Sequence, residues 1–277
     1  MQQQPTLQQV AHQFQRFAGE VQQTTSHLGT AVLTLKKRLY ELEAVAELQA
    51  EGRKPRAGRR PTFRSQHGED CALWEILDRQ TKGFYIEVGA FDGKNFSVSY
   101  AFDAMGWDGL LIEAIPERAA QCKANRPDAR VVHAAMGATA GGTVKFHVTA
   151  DAWGGMLSFT DPHSDHGRQA ATSGTKITAV DVPRTSMNEQ LKDHTGPVDF
   201  AVIDVEGGEI ELLKGFDLKR FKPRVLMLED NEIKDNTPLM TYMRDQDYQL
   251  VGFIGFNRIY IHKSETGILE RIGAKPA

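Results

Sequence analysis

Apolar residues recur every seven positions along the start of this chain: Leu7, Phe14, Val21, Leu28, Leu35 and Leu42. Ala11, Ala18, Val32, Leu39 and Ala46 fill the complementary positions, and Thr25 is a polar interruption. This heptad spacing predicts a helix over residues 7–49 whose seam suits a coiled coil or helical hairpin, and hence a homo-oligomer formed through the N-terminal helix. A single amphipathic helix folded back on its own domain fits the same positions. Gly19 and Gly29 each cost up to about 1 kcal/mol relative to alanine, so Leu28 to Gln49 is expected to be the best-formed part. Glu51–Thr62 (EGRKPRAGRRPT) then holds two prolines, two glycines and five basic residues, the composition of a basic flexible linker and solvated tether. The chain therefore divides into a helical coiled-coil arm (1–50), a linker (51–62) and a larger domain (63–277).

From Phe63 the pattern changes to short apolar runs separated by helical segments. Cys71–Gln80 reads as helix. Strands are expected at Phe84–Val88, Gly109–Glu113, Arg130–Ala134, Thr143–Thr149, Lys176–Val180, Val198–Asp204 and Arg224–Glu229, with a helix starting at Glu209–Leu213. Tyr248–Ile254 and Arg258–His262, joined by Gly-Phe-Asn, read as a closing antiparallel pair. This alternation predicts an α/β fold with a mostly parallel sheet and helices on both faces.

Several of these runs end in acids, and that is where the chemistry concentrates. Phe84–Gly93 (FYIEVGAFDG) is a strand ending in Glu87, then Gly89, the small residue Ala90, and Asp92-Gly93: a tight turn against which a cofactor lies close to the backbone. Gly109–Glu113 (GLLIE) ends in a second carboxylate, 26 residues after Glu87. Ligands of open α/β sheets bind at the carboxyl ends of the strands. Two neighbouring strand ends bearing carboxylates suit a ribose and a cationic amino group, both of which S-adenosylmethionine carries. Glu113 accepts from both ribose hydroxyls, Glu87 faces the amino-acid portion, and adenine is expected near Ala135 and Met136. An NAD site fits less well, because the turn reads E-x-G-x-x-x-G and holds its own acid.

Val198–Glu209 (VDFAVIDVEGGE) and Val225–Glu232 (VLMLEDNE) supply a second group: Asp204, Glu206, Glu229 and Asp230. Adjacent strands bring Asp204 close to Glu229 and Asp230, and such carboxylates repel unless a cation intervenes. Those three suit a hard divalent ion such as Mg²⁺, which lowers the pKa of a sugar hydroxyl; helix capping, arginine pairing or solvation is the plain alternative. Glu206 and Glu209 near a helix start are natural helix-dipole partners. The long loop Asp151–Thr175 reads as a lid or binding loop, in which Trp153 offers a face for a sugar and His163 or His166 a general base.

Charge and composition narrow the picture further. Residues 1–64 hold ten Lys/Arg and five Asp/Glu, the remainder 23 and 31, so an acidic domain follows a basic arm. That distribution argues against nucleic-acid binding, while the basic stretch allows contact with an anionic membrane surface or a glycan-assembly partner. No apolar run approaches the roughly 18 residues of a membrane span, and the first residues lack the basic and apolar regions of a secretory signal. Cys71 and Cys122 are too few for a disulfide framework or zinc site. A cytoplasmic location is expected.

From about Ser65 to His262 the chain resembles the FkbM-type methyltransferases. The pieces that carry the likeness are SQHGED (Ser65–Asp70), FYIEVGAFDG, GWDGLLIEAIPE (Gly106–Glu117), VDVPRTSMNEQL (Val180–Leu191) and IDVEGGEIELLKGF (Ile203–Phe216). The resemblance implies a class I, Rossmann-like methyltransferase fold, S-adenosylmethionine as donor, and O-methylation of sugars, glycolipids, surface polysaccharides or natural products. It assigns Glu87, Gly89, Asp92 and Glu113 to the cofactor, adds Ser65 and Gln66 from the opening motif, and makes Asp204 the acid at the fourth strand end. Related magnesium-using sugar methyltransferases place an Asp there and a Glu-Asp pair on the next strand, as Glu229-Asp230 resembles. Many members carry a histidine beside the glycine of the DVEG motif, where this chain has Gly207-Gly208, so its general base lies elsewhere. The expected activity is methyl transfer to a sugar hydroxyl of a glycan, glycolipid or glycosylated metabolite. The alternatives are a non-sugar small-molecule acceptor, or an inactive scaffold that works through its arm.

Overall fold

The computed structural model describes residues 7–274 apart from 57, 233 and most of 151–175, where only Ser158, Arg168 and Thr172 are described; side chains are described from Gln22 onward. The chain opens with one helix, Leu7–Ala50. Ten strands follow among the described residues: β1 (Phe84–Val88), β2 (Asp108–Glu113), β3 (Arg130–His133), β4 (Ala135–Met136), β5 (Thr143–Thr149), β6 (Ile177–Thr185), β7 (Phe200–Ile203), β8 (Val225–Glu229), β9 (Tyr248–Ile254) and β10 (Asn257–His262). Seven form the main sheet in the order β3-β2-β1-β7-β8-β10-β9, and β4-β6-β5 form a small second sheet. β1, β2, β3, β7 and β8 pair in parallel, while β10 runs against both of its neighbours. This is a Rossmann-like, doubly wound sheet. Connection order reverses between β1 and β7, which opens a crevice at their carboxyl ends.

β1 shows why these runs became strands. Its residues alternate between two fully packed faces, so the run is apolar on both sides up to Glu87. Tyr85 joins Trp74, Phe102, Trp107 and Phe200 on one face. Ile86 and Val88 join Ile112, Leu212, Phe216 and Leu228 on the other. β6 extends further than its apolar run, to Thr185, because it lies between two partner strands, β4 and β5, whose backbones pair with it along its length.

The N-terminal helix packs on the first of these faces through Tyr40, Ala44 and Leu48, all buried, with Leu33 half-buried beside them. This stripe differs from the heptad stripe, so the arm's second half is part of the domain's core rather than a separate unit. Full burial of a leucine such as Leu48 contributes about 1.5–3 kcal/mol.

The stretch read as a solvated tether is pinned. Arg53 donates to the carbonyls of Met105 and Thr81, Arg56 to the Trp107 carbonyl and Asp103, and Arg59 to Asp103 and Asp128. Composition alone made this segment look free. The domain supplies the reason it is not: Asp103 is fully buried and needs cationic partners. Cys71 and Cys122 are buried free thiols. Among the described residues no helix is long and apolar enough to cross a membrane.

Candidate active site

Two cavities meet at the carboxyl ends of β1, β2 and β7. The larger is mostly apolar and is lined by Ile112, Glu113, Ala135, Met136, Phe146 and Val205, among others. The smaller is polar, with Gln66, Glu69, Glu87, Ala90, Asn95 and Asn257 in its wall. Gly89 and Asp204 border both. The β1 turn needs glycine at this junction for two reasons. Gly89 has φ +78°, and a Cβ there would stand 1.8 Å from the Asp204 carbonyl oxygen. The glycine thus lets the ends of β1 and β7 close on each other, which brings Asp204 to the crevice.

Glu113 is the best-placed acid for a diol. Its carboxylate accepts from the backbone N–H groups of Phe91 and Ile115, both at 2.8 Å, which fixes its orientation. Burial pushes its carboxyl up to about 7, against the lowering effect of those hydrogen bonds. Ala135 and Met136 lie in the same cavity.

Glu87 borders the smaller cavity with both oxygens engaged. Ser97 Oγ and Val98 N–H donate to it at 2.8 Å, and Ser99 Oγ donates as well. Arg126, fully buried, stands 3.7 Å from it and donates to Ser97, Ser99 and the Gly93 carbonyl. Glu87 therefore organises the loop after β1 from within the wall. Sequence reasoning missed Arg126, because a basic residue after a helix reads as an ordinary dipole partner.

Two residues assigned to the cofactor line neither cavity. Asp92 turns back on its own loop, accepting from the N–H groups of Lys94 and Asn95 and from the Asn95 side chain. Ser65 donates to Asp70 at 2.5 Å and accepts from Gly68 N–H, bracing the start of helix Glu69–Ile76. Both act by holding backbone, which is what short polar side chains in tight turns do. Gln66 and Ala90 do reach the smaller cavity.

Asn257, at the start of β10, was read only as a turn residue. Its Nδ2 donates to Glu69 Oε1 at 3.3 Å, so its Oδ1 points the other way. That oxygen is buried and has no hydrogen-bond partner. A buried orphan acceptor costs about 1–3 kcal/mol, and Asn257 lines the smaller cavity, where a hydrogen-bond donor would satisfy it.

The acids of β7 and β8 assemble with one substitution of partner. Pairing of Ile203 with Leu228 sets Asp204 across from Glu229. Carboxylate oxygens of Asp204, Glu206 and Glu229 lie within 4.8 Å of one another. Asp230, expected as a ligand, is elsewhere: it accepts from Arg258 Nε and Thr237 Oγ1, each at 2.6 Å. Successive strand residues point to opposite sides, so Glu229 and Asp230 do not serve one site. Glu206 takes the third place, held there by a backbone φ of +53°. The helix-start role falls to Glu209 alone, which accepts from the N–H groups of Val205 and Gly207 and is pushed up to about 7 by burial.

Glu229 carries the electrostatic strain of this cluster. Burial, then the charges of Asp204 and Glu206, push its pKa far above the usual carboxylate range. Its Oε2 is buried with no partner. Three carboxylates this close fit either a shared proton or a hard divalent ion. His163, His166 and Trp153 lie outside the described residues; of that loop, buried Ser158 borders the larger cavity.

The family model for the Methyltransferase FkbM domain matches residues 87–250, more than half of the chain. No curated protein matches it. Among solved structures, it is similar to an O-methyltransferase from Bacillus cereus in complex with SAH (12% identity, 80% of this chain and 90% of that one, TM-score 0.38). It is also similar to a human methyltransferase 10 domain containing protein (14%, 70% and 79%, TM-score 0.39) and to the METTL16 MTase domain (15%, 69% and 64%, TM-score 0.39). The chain thus spans less than two thirds of the METTL16 domain.

Proposed function

The chain belongs to the FkbM methyltransferases, and from that premise we propose that it transfers a methyl group from S-adenosylmethionine to a hydroxyl of a sugar-containing acceptor. The observation that carries the reading is the junction at Asp204, where a cavity suited to a nucleoside, a polar cavity suited to an amino acid and a cluster of three carboxylates meet.

Glu113 receives the ribose hydroxyls, its two oxygens already oriented by backbone N–H groups. Ala135 and Met136 give adenine an apolar seat. Asn257 Oδ1 accepts from the α-ammonium group. Bound S-adenosylmethionine supplies an electrophilic methyl carbon on a cationic sulfur. The protein contributes orientation and exclusion of water.

An alcohol is a poor nucleophile until it gives up its proton, and the acid cluster answers that need. Carboxylates accept hydrogen bonds from vicinal hydroxyls, which favours a sugar. Asp204 holds the acceptor hydroxyl and takes its proton as the methyl group passes from sulfur to that oxygen and S-adenosylhomocysteine leaves, while Glu206 and the protonated Glu229 lie within 4.8 Å of the Asp204 carboxylate. The same three residues would hold Mg²⁺, which would lower the pKa of the bound hydroxyl.

Titration calorimetry with S-adenosylmethionine, followed by turnover on a panel of glycosides and non-sugar alcohols with and without EDTA, tests the reading. Donor binding and O-methylated glycoside are expected. Binding of NAD in place of S-adenosylmethionine, or methylation only of nitrogen or carbon, contradicts it. Unchanged turnover after EDTA dialysis removes the ion and leaves the carboxylates as the base.

A further inference from the structure

The N-terminal helix carries two apolar stripes, and only one is used within the chain. At 100° per residue, Leu33, Tyr40, Ala44 and Leu48 form the stripe that packs on the domain. Leu28, Val32, Leu35, Leu39, Leu42 and Ala46 form another, roughly 150° away around the helix. This second stripe faces outward: Leu28 is 65% exposed, Val32 55%, Leu35 70%, Leu39 53% and Leu42 60%. Single exposed leucines are ordinary on a protein surface, whereas a contiguous row marks an interaction site.

Spacing along this row alternates four and three, with Val32, Leu39 and Ala46 at heptad position a and Leu28, Leu35 and Leu42 at d. We propose that a second copy of this chain covers the seam, the two helices pairing parallel and in register as a two-stranded coiled coil. Three features select that occupant. Leucine at all three d positions, with β-branched Val32 at one a position, favours two strands. The pattern continues in the sequence through Val21, Phe14 and Leu7 within the same helix, exceeding the three to four heptads that mark a coiled coil. Flanking charge then sets direction: Arg38 occupies g, and Lys36 and Glu43 occupy e.

In the parallel register, Arg38 of one copy faces Glu43 of the other across the seam. An antiparallel pairing of the same window matches Leu35 with Leu39, and it sets Arg38 against Arg38 and Lys36 against Lys36. Like charges there disfavour it. Glu43 is already held in place by Arg79 Nε at 3.2 Å and Trp74 Nε1 at 3.4 Å. Because each methyltransferase domain sits on the back of its own helix, two copies meet along the helices with their domains facing outward. The pairing is independent of the donor and acceptor.

Light scattering on the full chain after size exclusion tests this. The native chain and the control Thr34→Glu, an exposed position off the seam, should both run at twice the 30.8 kDa chain mass. Leu35→Glu/Leu42→Glu should run at one chain mass with its S-adenosylmethionine affinity unchanged. Leu35→Cys should form an intermolecular disulfide on oxidation, since only the parallel register places residue 35 against its own copy. A native chain that is monomeric at tens of micromolar overturns the proposal, as does a trimer or a Leu35→Glu/Leu42→Glu variant that stays dimeric. Cross-linking between Leu35→Cys and Leu39→Cys chains, without any in Leu35→Cys alone, overturns the parallel arrangement.

Discussion

Substituting Glu229 by glutamine should flatten the protein's stability against pH. In the folded chain, burial and the facing carboxylates of Asp204 and Glu206 raise the Glu229 pKa well above its unfolded value near 4.5. Between these values the folded state holds a proton that the unfolded state has released. This favourable contribution is full below the unfolded pKa and is lost as pH rises toward the folded one. One such proton changes stability by at most about 1.4 kcal/mol per pH unit, or about 2.7 kcal/mol from pH 6 to 8. At roughly 2–4 °C per kcal/mol for a chain of this size class, the native protein should lose about 5–10 °C of Tm more than Glu229→Gln across that interval. Glu113 and Glu209, both near 7, act in both proteins and cancel in the difference. Scanning fluorimetry in EDTA from pH 6 to 8 provides the curves. Adding Mg²⁺ at pH 8 should restore the native Tm and leave Glu229→Gln nearly unmoved. Parallel pH curves for the two proteins would refute the placement of a strained acid on β8.

The donor site yields three further expectations. Glu113→Gln should weaken S-adenosylmethionine binding about ten- to a hundredfold, the loss of 1.5–3 kcal/mol typical of a hydrogen bond to a charged group; calorimetry measures it. Since the ionised carboxylate is the stronger acceptor, native affinity should rise from pH 6 to 8 through the Glu113 pKa of about 7, and this dependence should vanish in Glu113→Gln. Asn257→Ala should weaken S-adenosylmethionine roughly tenfold by removing an acceptor from its ammonium group. The same change should leave 5′-methylthioadenosine, which lacks that group, unaffected. Gly89→Ala should fail to accumulate as folded protein by solubility and circular dichroism, because its Cβ meets the Asp204 carbonyl at 1.8 Å.

The sheet was legible wherever a run packs on both faces: β1, β7 and β8 are nearly unbroken apolar stretches, and their terminal acids mark the crevice. The pairing of Asp204 with Glu229 followed from strand adjacency alone. Asp230 misled because local sequence shows two acids side by side, while strand geometry sends them apart. Glu206 was harder to place, since only a positive φ carries it into the cluster, and a glutamate before two glycines suggests a helix start first. Asn257, Arg126 and the linker arginines owe their roles to partners more than 25 residues away, which no local pattern encodes. The arm was legible in part. Its heptads were plain, but the inward stripe of Leu33, Tyr40, Ala44 and Leu48 shows its purpose only once a domain lies beneath it.

A crystal structure of the full chain with S-adenosylhomocysteine tests the central claim most directly. The account predicts ribose hydroxyls on Glu113, adenine against Ala135 and Met136, the ammonium group at Asn257 Oδ1, and sulfur facing the crevice beside Asp204. A ligand lying outside these two cavities, or a Glu113 carboxylate turned away from the ribose, would contradict it.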